Sequence, residues 1–185
     1  MNELKTQLVS NDKPILDRIQ KSLKLLYKET PSLFIKNNQI GICERCLVFR
    51  FAYYIQEEFS EYFVDCDYNS NYFLCIDRGK DRITETSAKQ IKNKDGTFTN
   101  RFIDIIIHKR TSNLNDNFVC FEIKKWNNHN SKAYQKDINN LEVLTGSEFK
   151  YKWGFYIILG KTMEKTRIII FRNGKEIKIV EESLK

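Results

Sequence analysis

Arg101-Phe-Ile-Asp104-Ile-Ile-Ile-His108 and Asn117-Phe-Val-Cys-Phe-Glu122-Ile-Lys124-Lys125-Trp126 decide the fold. Both runs are rich in β-branched and aromatic residues, which suit a pleated, half-buried surface. The polar stretch from Arg110 to Asp116 between them is too short for a crossover, so Phe102 to Lys109 is expected to pair with Asn117 to Lys125 as an antiparallel hairpin. The period of two puts Ile103, Ile105 and Ile107 on one face, with Phe102, Asp104, Ile106 and His108 on the other. In the second strand Val119, Phe121 and Ile123 oppose Phe118, Cys120, Glu122 and Lys124. Asp104 and Glu122 therefore interrupt Ile-Asp-Ile-Ile-Ile and Phe-Glu-Ile, where solvent is least expected, and Lys124 shares a face with Glu122.

Upstream, Tyr62 to Tyr68 reads as a further strand, with Phe63, Asp65 and Asp67 on one face and Val64, Cys66 and Tyr68 on the other. Asn69-Ser-Asn closes it as a turn, and Tyr72 to Ile76 is a short strand or an apolar loop. From Asp77 to Asn100 charge, glycine and amides predict a surface excursion, with a helical turn near Thr86 to Ile91 and a turn at Lys94-Asp95-Gly96. Its Lys80, Arg82, Lys89, Lys92 and Lys94 either track a phosphate backbone or belong to a solvated loop.

Three helices are expected. Asn11-Asp12-Lys13-Pro14 opens the first, which carries Ile15, Ile19, Leu23 and Leu26 at helical spacing and ends at Pro31. The second spans Cys43 to Phe59. At about 100° per residue, Val48, Phe51 and Ile55 lie within roughly 40° of Glu44, so this acid shares the apolar face. A charge there is paired, binds a metal, or stays wet beside the helix N-terminus. The third helix, Ser131 to Thr145, has the stripe Tyr134, Ile138, Leu141 and Leu144 and is stopped by Gly146. Lys132, Gln135 and Lys136 near its start either face a phosphate backbone or are solvated. Tyr151 to Leu159 is a strand, and Arg167 to Phe171 with Glu176 to Val180 forms a hairpin around Asn173-Gly174.

Composition limits the alternatives. With 41% apolar and 13% aromatic residues in 185, the chain can bury a core and is expected to be one domain: a helical extension over 1–40, a core over 43–160 and a hairpin over 166–180. The net charge of +7 favours an anionic partner, although lysines on solvated faces yield the same number. No run reaches the roughly 18 to 20 apolar residues of a membrane span, and the N-terminus lacks the apolar core of a secretion signal. A cytoplasmic protein with no membrane partner is expected. Five scattered cysteines, Cys43, Cys46, Cys66, Cys75 and Cys120, predict reduced and mostly buried thiols. Cys43 and Cys46 form a C-x-x-C without a second ligand pair for zinc. His108 lines a site or satisfies a buried hydrogen bond, and His129 sits in an amide-rich turn. Gly-rich phosphate loops and serine elbows are absent.

Two carboxylates converging at a sheet edge suit Mg²⁺, with Mn²⁺ as a substitute, because the ion takes oxygen donors and keeps waters for exchange. Beside a lysine this is the equipment of phosphodiester hydrolysis. The competing reading leaves Asp104 and Glu122 at wet strand ends and Lys124 in a salt bridge.

The order of helix with acid, strand, Asp-bearing strand, Glu-x-Lys strand, helix and strand resembles the PD-(D/E)xK nuclease superfamily from about Cys43 to Leu159. The likeness is carried by Glu44-Arg45, Asp65-Cys66-Asp67-Tyr68-Asn69, Ile103-Asp104-Ile-Ile-Ile-His108 and Glu122-Ile-Lys124-Lys125, which resemble a group of uncharacterised bacterial proteins. Ile103 stands where that pattern has proline, Asp67 where it has glutamate and Ser70 where it has arginine. The resemblance implies an α/β fold with a restriction-endonuclease-like core, a mixed central β-sheet flanked by α-helices. It also implies a Mg²⁺-dependent nuclease acting on DNA, RNA being the other candidate. By the same resemblance Asp104, Glu122 and Glu44 would hold metal and Lys124 would be the catalytic lysine; Asp67, Tyr68 and Asn69, together with Lys132 and Gln135 at the start of the helix after Glu-x-Lys, are the candidates to meet substrate. A homodimer is compatible with it. The rival expectations are a nucleic-acid-binding or protein-interaction module without turnover on the same fold, and a structural or regulatory protein.

Overall fold

The two decisive runs lie side by side in the middle of a six-stranded sheet. The computed structural model describes residues 13–34, 43–77, 80–92, 96–127 and 131–177, with the backbone alone at 70–77, 80–88 and 91–92. Its helices are α1 (Lys13–Glu29), α2 (Glu44–Glu58) and α3 (Ser131–Thr145). The main sheet comprises β1 (Phe63–Tyr68), β6 (Ile103–His108), β7 (Asn117–Lys125), β8 (Trp153–Leu159), β9 (Arg167–Arg172) and β10 (Lys175–Ile177), in that spatial order. Two small ribbons, β2 (Ser70–Asp77) with β3 (Lys80–Ala88) and β4 (Gln90–Lys92) with β5 (Phe98–Asn100), stand between β1 and β6 in the chain. The fold is thus mixed α/β. None of the described helices is long and apolar enough to cross a membrane.

All neighbours in the main sheet are antiparallel except β7 and β8, which α3 connects as a crossover. Helices α1 and α2 cover one face, where Ile15, Ile19, Leu23 and Leu26 pack with Phe51, Ile55, Ile105, Ile107, Phe121 and Phe155. Burying each such α1 side chain is worth about 1.5–3 kcal/mol, which is why this helix docks. Helix α3 covers the other face through Ile138, Leu141 and Leu144, against Ile106, Cys120, Tyr156 and Phe171. It can come close because β8 carries glycine there. A Cβ on Gly154 would stand 2.9 Å from Thr145 Cγ2 and 3.2 Å from Phe171 Cβ.

Several expectations are corrected. The helical turn near Thr86 to Ile91 is instead the end of β3 and the start of β4, since the β-branched Ile83, Thr84 and Thr86 find a partner strand in β2. Asn69-Ser-Asn is not a closing turn, because Ser70 already belongs to β2. Lys89 is not on a solvated loop: its backbone bonds to Asn69 and Arg101 turn the side chain inward, to 3% exposure with Nζ 4.6 Å from the Tyr68 ring centroid. Asp67 has φ +49°, which turns Tyr68 away from Val64 and Cys66 and onto the α3 side with Ile103. Phe118 packs on the α1/α2 side, beyond a register shift at His108. The cysteines are not mostly buried: Cys43 and Cys46 are exposed, and among the described residues Cys120 alone is fully enclosed.

Asn173 and Gly174 both take positive φ, as the tight β9/β10 hairpin requires. The Asn11-Asp12 cap, the turn residues Lys94 and Asp95, His129 and residues 178–180 lie outside the described residues, as do the side chains of Lys80, Arg82 and Lys92.

Candidate functional site

The ladder between β6 and β7 ends at the pair Ile105 and Phe121. Beyond it, side chains take over from backbone partners. Asp104 Oδ2 accepts a hydrogen bond from the Ile123 N–H at 2.7 Å, and Glu44 Oε2 accepts one from the Lys125 N–H at 3.0 Å. Glu44 reaches there because it is the first residue of α2, whose apolar positions Val48, Phe51 and Ile55 are buried against the sheet. Two carboxylates from two elements thus meet the same end of β7.

Glu122, 3% exposed, accepts a hydrogen bond on Oε1 from Asn140 Nδ2 of α3 at 2.9 Å. Lys124 places Nζ 3.2 Å from Asp137 Oδ2 and 3.6 Å from Glu44 Oε1. Glu44, Asp104, Glu122 and Lys124 therefore gather at one sheet end, joined by Asp137 and Asn140. The sequence reading missed the last two. Their signal was the one that selected Glu44: Asp137 precedes Asn140, Leu141 and Leu144 by three, four and seven residues, on the inward stripe of α3.

Burial sets the electrostatics. It raises the Asp104 carboxyl to about 6, against the pull of Lys124 and the Ile123 N–H, with Glu44 and Asp137 adding to the rise. Burial also pushes Glu122 well above the carboxylate range, reinforced by Asp104 and Asp137, while Asn140 opposes. Asp137 is raised by burial too, with Lys124 opposing. For Lys124 burial favours the neutral amine, but Asp104, Asp137 and Glu44 overcome it and hold the ammonium above its ordinary pKa. One ammonium cannot offset this many carboxylates in a low-dielectric pocket, so the cluster takes up protons or further positive charge.

Comparison with protein-family models, curated proteins and solved structures finds nothing that matches this chain.

The donor set can be tested for a metal on its own geometry. Among the described residues no three His, Cys, Asp or Glu side chains converge closely enough to cage an ion unaided. Lys124 is inserted between Glu44 and Asp137, and backbone N–H groups hold one oxygen each of Asp104 and Glu44. The donors are nevertheless all hard oxygens, with the single Lys124 ammonium shared among several carboxylates, which fits a Mg²⁺ ion bound by one or two carboxylates with waters completing its shell. Cys43 and Cys46 belong to no such group.

The residues expected to meet substrate do not gather as one group with this cluster. Asp67 and Asp104 both fall between the register pairs Cys66–Ile105 and Tyr68–Ile103, and the Asp67 carboxylate is 3.8 Å from Arg45 Nε. Lys132 and Gln135 are exposed on the first turns of α3. Tyr68 instead packs edge-on against His108, with ring centroids 5.1 Å apart, and Asn69 follows it with its Oδ1 buried. His108 is 2.8 Å from Asp65 Oδ2, so it satisfies a buried hydrogen bond. Arg110 grips the same carboxylate with two nitrogens. Burial alone would raise Asp65, but His108 and Arg110 outweigh it and bring the group down to about 2.

Proposed function

We propose that the chain has a restriction-endonuclease-like core, belongs with the PD-(D/E)xK nucleases and hydrolyses phosphodiester bonds in DNA with Mg²⁺. The observation that supports this reading most is the meeting of Asp104, Glu122 and Lys124 with Glu44 at the end of β7, where burial raises the Asp104 and Glu122 carboxyls. Asp104 and Glu122 would hold Mg²⁺, and Glu44 would support them while fixing the end of β7. When bound, the ion supplies positive charge to a phosphate oxygen and acidifies water.

The residues divide the remaining work. Asn140 orients Glu122, and the Ile123 N–H orients Asp104. Lys124 is held as the ammonium, so it donates a hydrogen bond to the attacking or phosphate oxygen and does not accept the water's proton. The net charge of +7, with Lys132 and Lys136 exposed on α3, favours a polyanion.

A nucleic-acid-binding module without turnover is favoured by one observation, that no three ligand-type side chains are preassembled among the described residues. Cleavage of end-labelled single-stranded DNA, duplex DNA and RNA, with Mg²⁺ and with EDTA, separates the two. The nuclease reading expects Mg²⁺-dependent products that Asp104→Asn and Lys124→Met abolish. Salt-sensitive binding with no product on any substrate would establish the module.

A further inference from the structure

An exposed aromatic ring, Tyr134, stands beside the carboxylate cluster, and a second exposed ring, Phe102, is two residues from Asp104 in the chain. Tyr156 of β8 is the cross-strand neighbour of Glu122, and the Tyr134 ring of α3 packs edge-on against it with centroids 5.3 Å apart at 81°. Tyr134 stands one helical turn before Asp137 and is 38% exposed, although its place in the stripe with Ile138 and Leu141 would bury it. Phe102, two residues before Asp104 in the chain, is 63% exposed. Tyr134 packs on Tyr156 and still leaves part of its ring open to solvent beside the charged cluster.

A duplex offers a protein its phosphates and groove edges, whereas the faces of its bases are stacked inside. Flat, exposed rings become useful when bases are unpaired, because every base has a face to stack and stacking tolerates any sequence. Lys136, exposed on α3 and close enough for its charge to pull on the Asp137 carboxyl, suits the accompanying phosphates.

Resting on the nuclease reading, we infer that the substrate is a single-stranded or locally unpaired nucleic acid, with a base stacked on Tyr134 beside Asp104, Glu122 and Lys124 and Phe102 offering a second exposed ring. Tyr134 is then a specificity-determining residue. Its hydroxyl is dispensable and its ring is not.

Fluorescence anisotropy in EDTA with labelled oligo-dT, oligo-rU and a blunt DNA duplex of equal length tests this without turnover. The wild-type chain is expected to bind the single strands more tightly than the duplex. Tyr134→Ala and Phe102→Ala should each weaken single-strand binding by roughly 5- to 100-fold, while Tyr134→Phe retains it and the duplex affinity does not change. The two oligonucleotides decide which sugar is accepted. Duplex preference, equal losses on single strand and duplex, or no loss on either overturns the inference. The two readings fail separately: Tyr134-dependent single-strand binding without Mg²⁺-dependent cleavage sinks the nuclease reading alone, and duplex cleavage indifferent to Tyr134 sinks this one alone.

Discussion

Lys124 Nζ lies 3.2 Å from Asp137 Oδ2, which ties the lysine of the central strand to the crossover helix. The geometry makes α3 part of the site. If Lys124 contributes to the reaction, Asp137 is its positioning residue, and removing it releases the ammonium toward Glu44. Asp137→Ala is expected to lower kcat by about 10- to 100-fold, as loss of an orienting neighbour typically does, with KM nearly unchanged. Asp137→Glu should recover part of the rate. Steady-state cleavage kinetics check this, and an unchanged kcat for Asp137→Ala would remove Asp137 from the account.

Asp104 gives a pH prediction with a definite sign. Its carboxyl is raised to about 6 in the folded chain, against about 3.9 when unfolded. The folded state therefore keeps a proton that the unfolded chain has lost. The stability contributed by this group is fully present below about pH 4 and is lost as pH rises through about 6. Without metal, Asp104→Asn is expected to melt higher than wild type at pH 8 and level with it at acid pH, by about 2–4 °C for each kcal/mol relieved. Added Mg²⁺ should raise the wild-type Tm and leave the variant's unchanged. Thermal melts at both pH values decide it, and parallel profiles for the two proteins would contradict it.

The Asp65 cluster behaves oppositely. With the carboxyl held at about 2 by His108 and Arg110 against burial, the stability it contributes is present above about pH 4 and is lost as pH falls through about 2. Asp65→Asn should reduce stability at pH 7 and flatten the acid limb of the stability curve, as urea titrations between pH 7 and pH 2 would show. An acid limb of unchanged slope would mean that Asp65 is not the titrating group. The same variant should leave Mg²⁺ binding intact, because Asp65 is bonded to His108 and Arg110, away from Glu122 and Lys124.

The legible parts of this fold are those governed by local period and punctuation. Ser131 to Thr145 and Asn117 to Lys125 have the expected bounds, and the hairpin joining Phe102–Lys109 to Asn117–Lys125 follows from a linker too short to cross. What escaped depends on backbone conformation or on distant partners. Tyr68 changes sides through one positive φ at Asp67, which no period-two reading contains. Lys89 is buried by bonds to Asn69 and Arg101, far less visible than its charge. The β2 and β3 ribbon is polar enough to resemble a loop until the strands pair. In the site, Asp104, Glu122 and Glu44 stood out because each interrupts an apolar pattern. Asp137 and Asn140 interrupt one too, but polar residues around them in α3 masked it.

The central claim is that Asp104 and Glu122 hold a divalent ion beside Lys124. Anomalous diffraction from crystals grown with Mn²⁺ tests it most directly. The account predicts a peak about 2.0–2.2 Å from oxygens of Asp104 and Glu122, with Lys124 Nζ facing its water shell and the peak lost in Glu122→Gln. A Mn²⁺-saturated crystal with no density between these two carboxylates, or with the ion bound elsewhere, would contradict it.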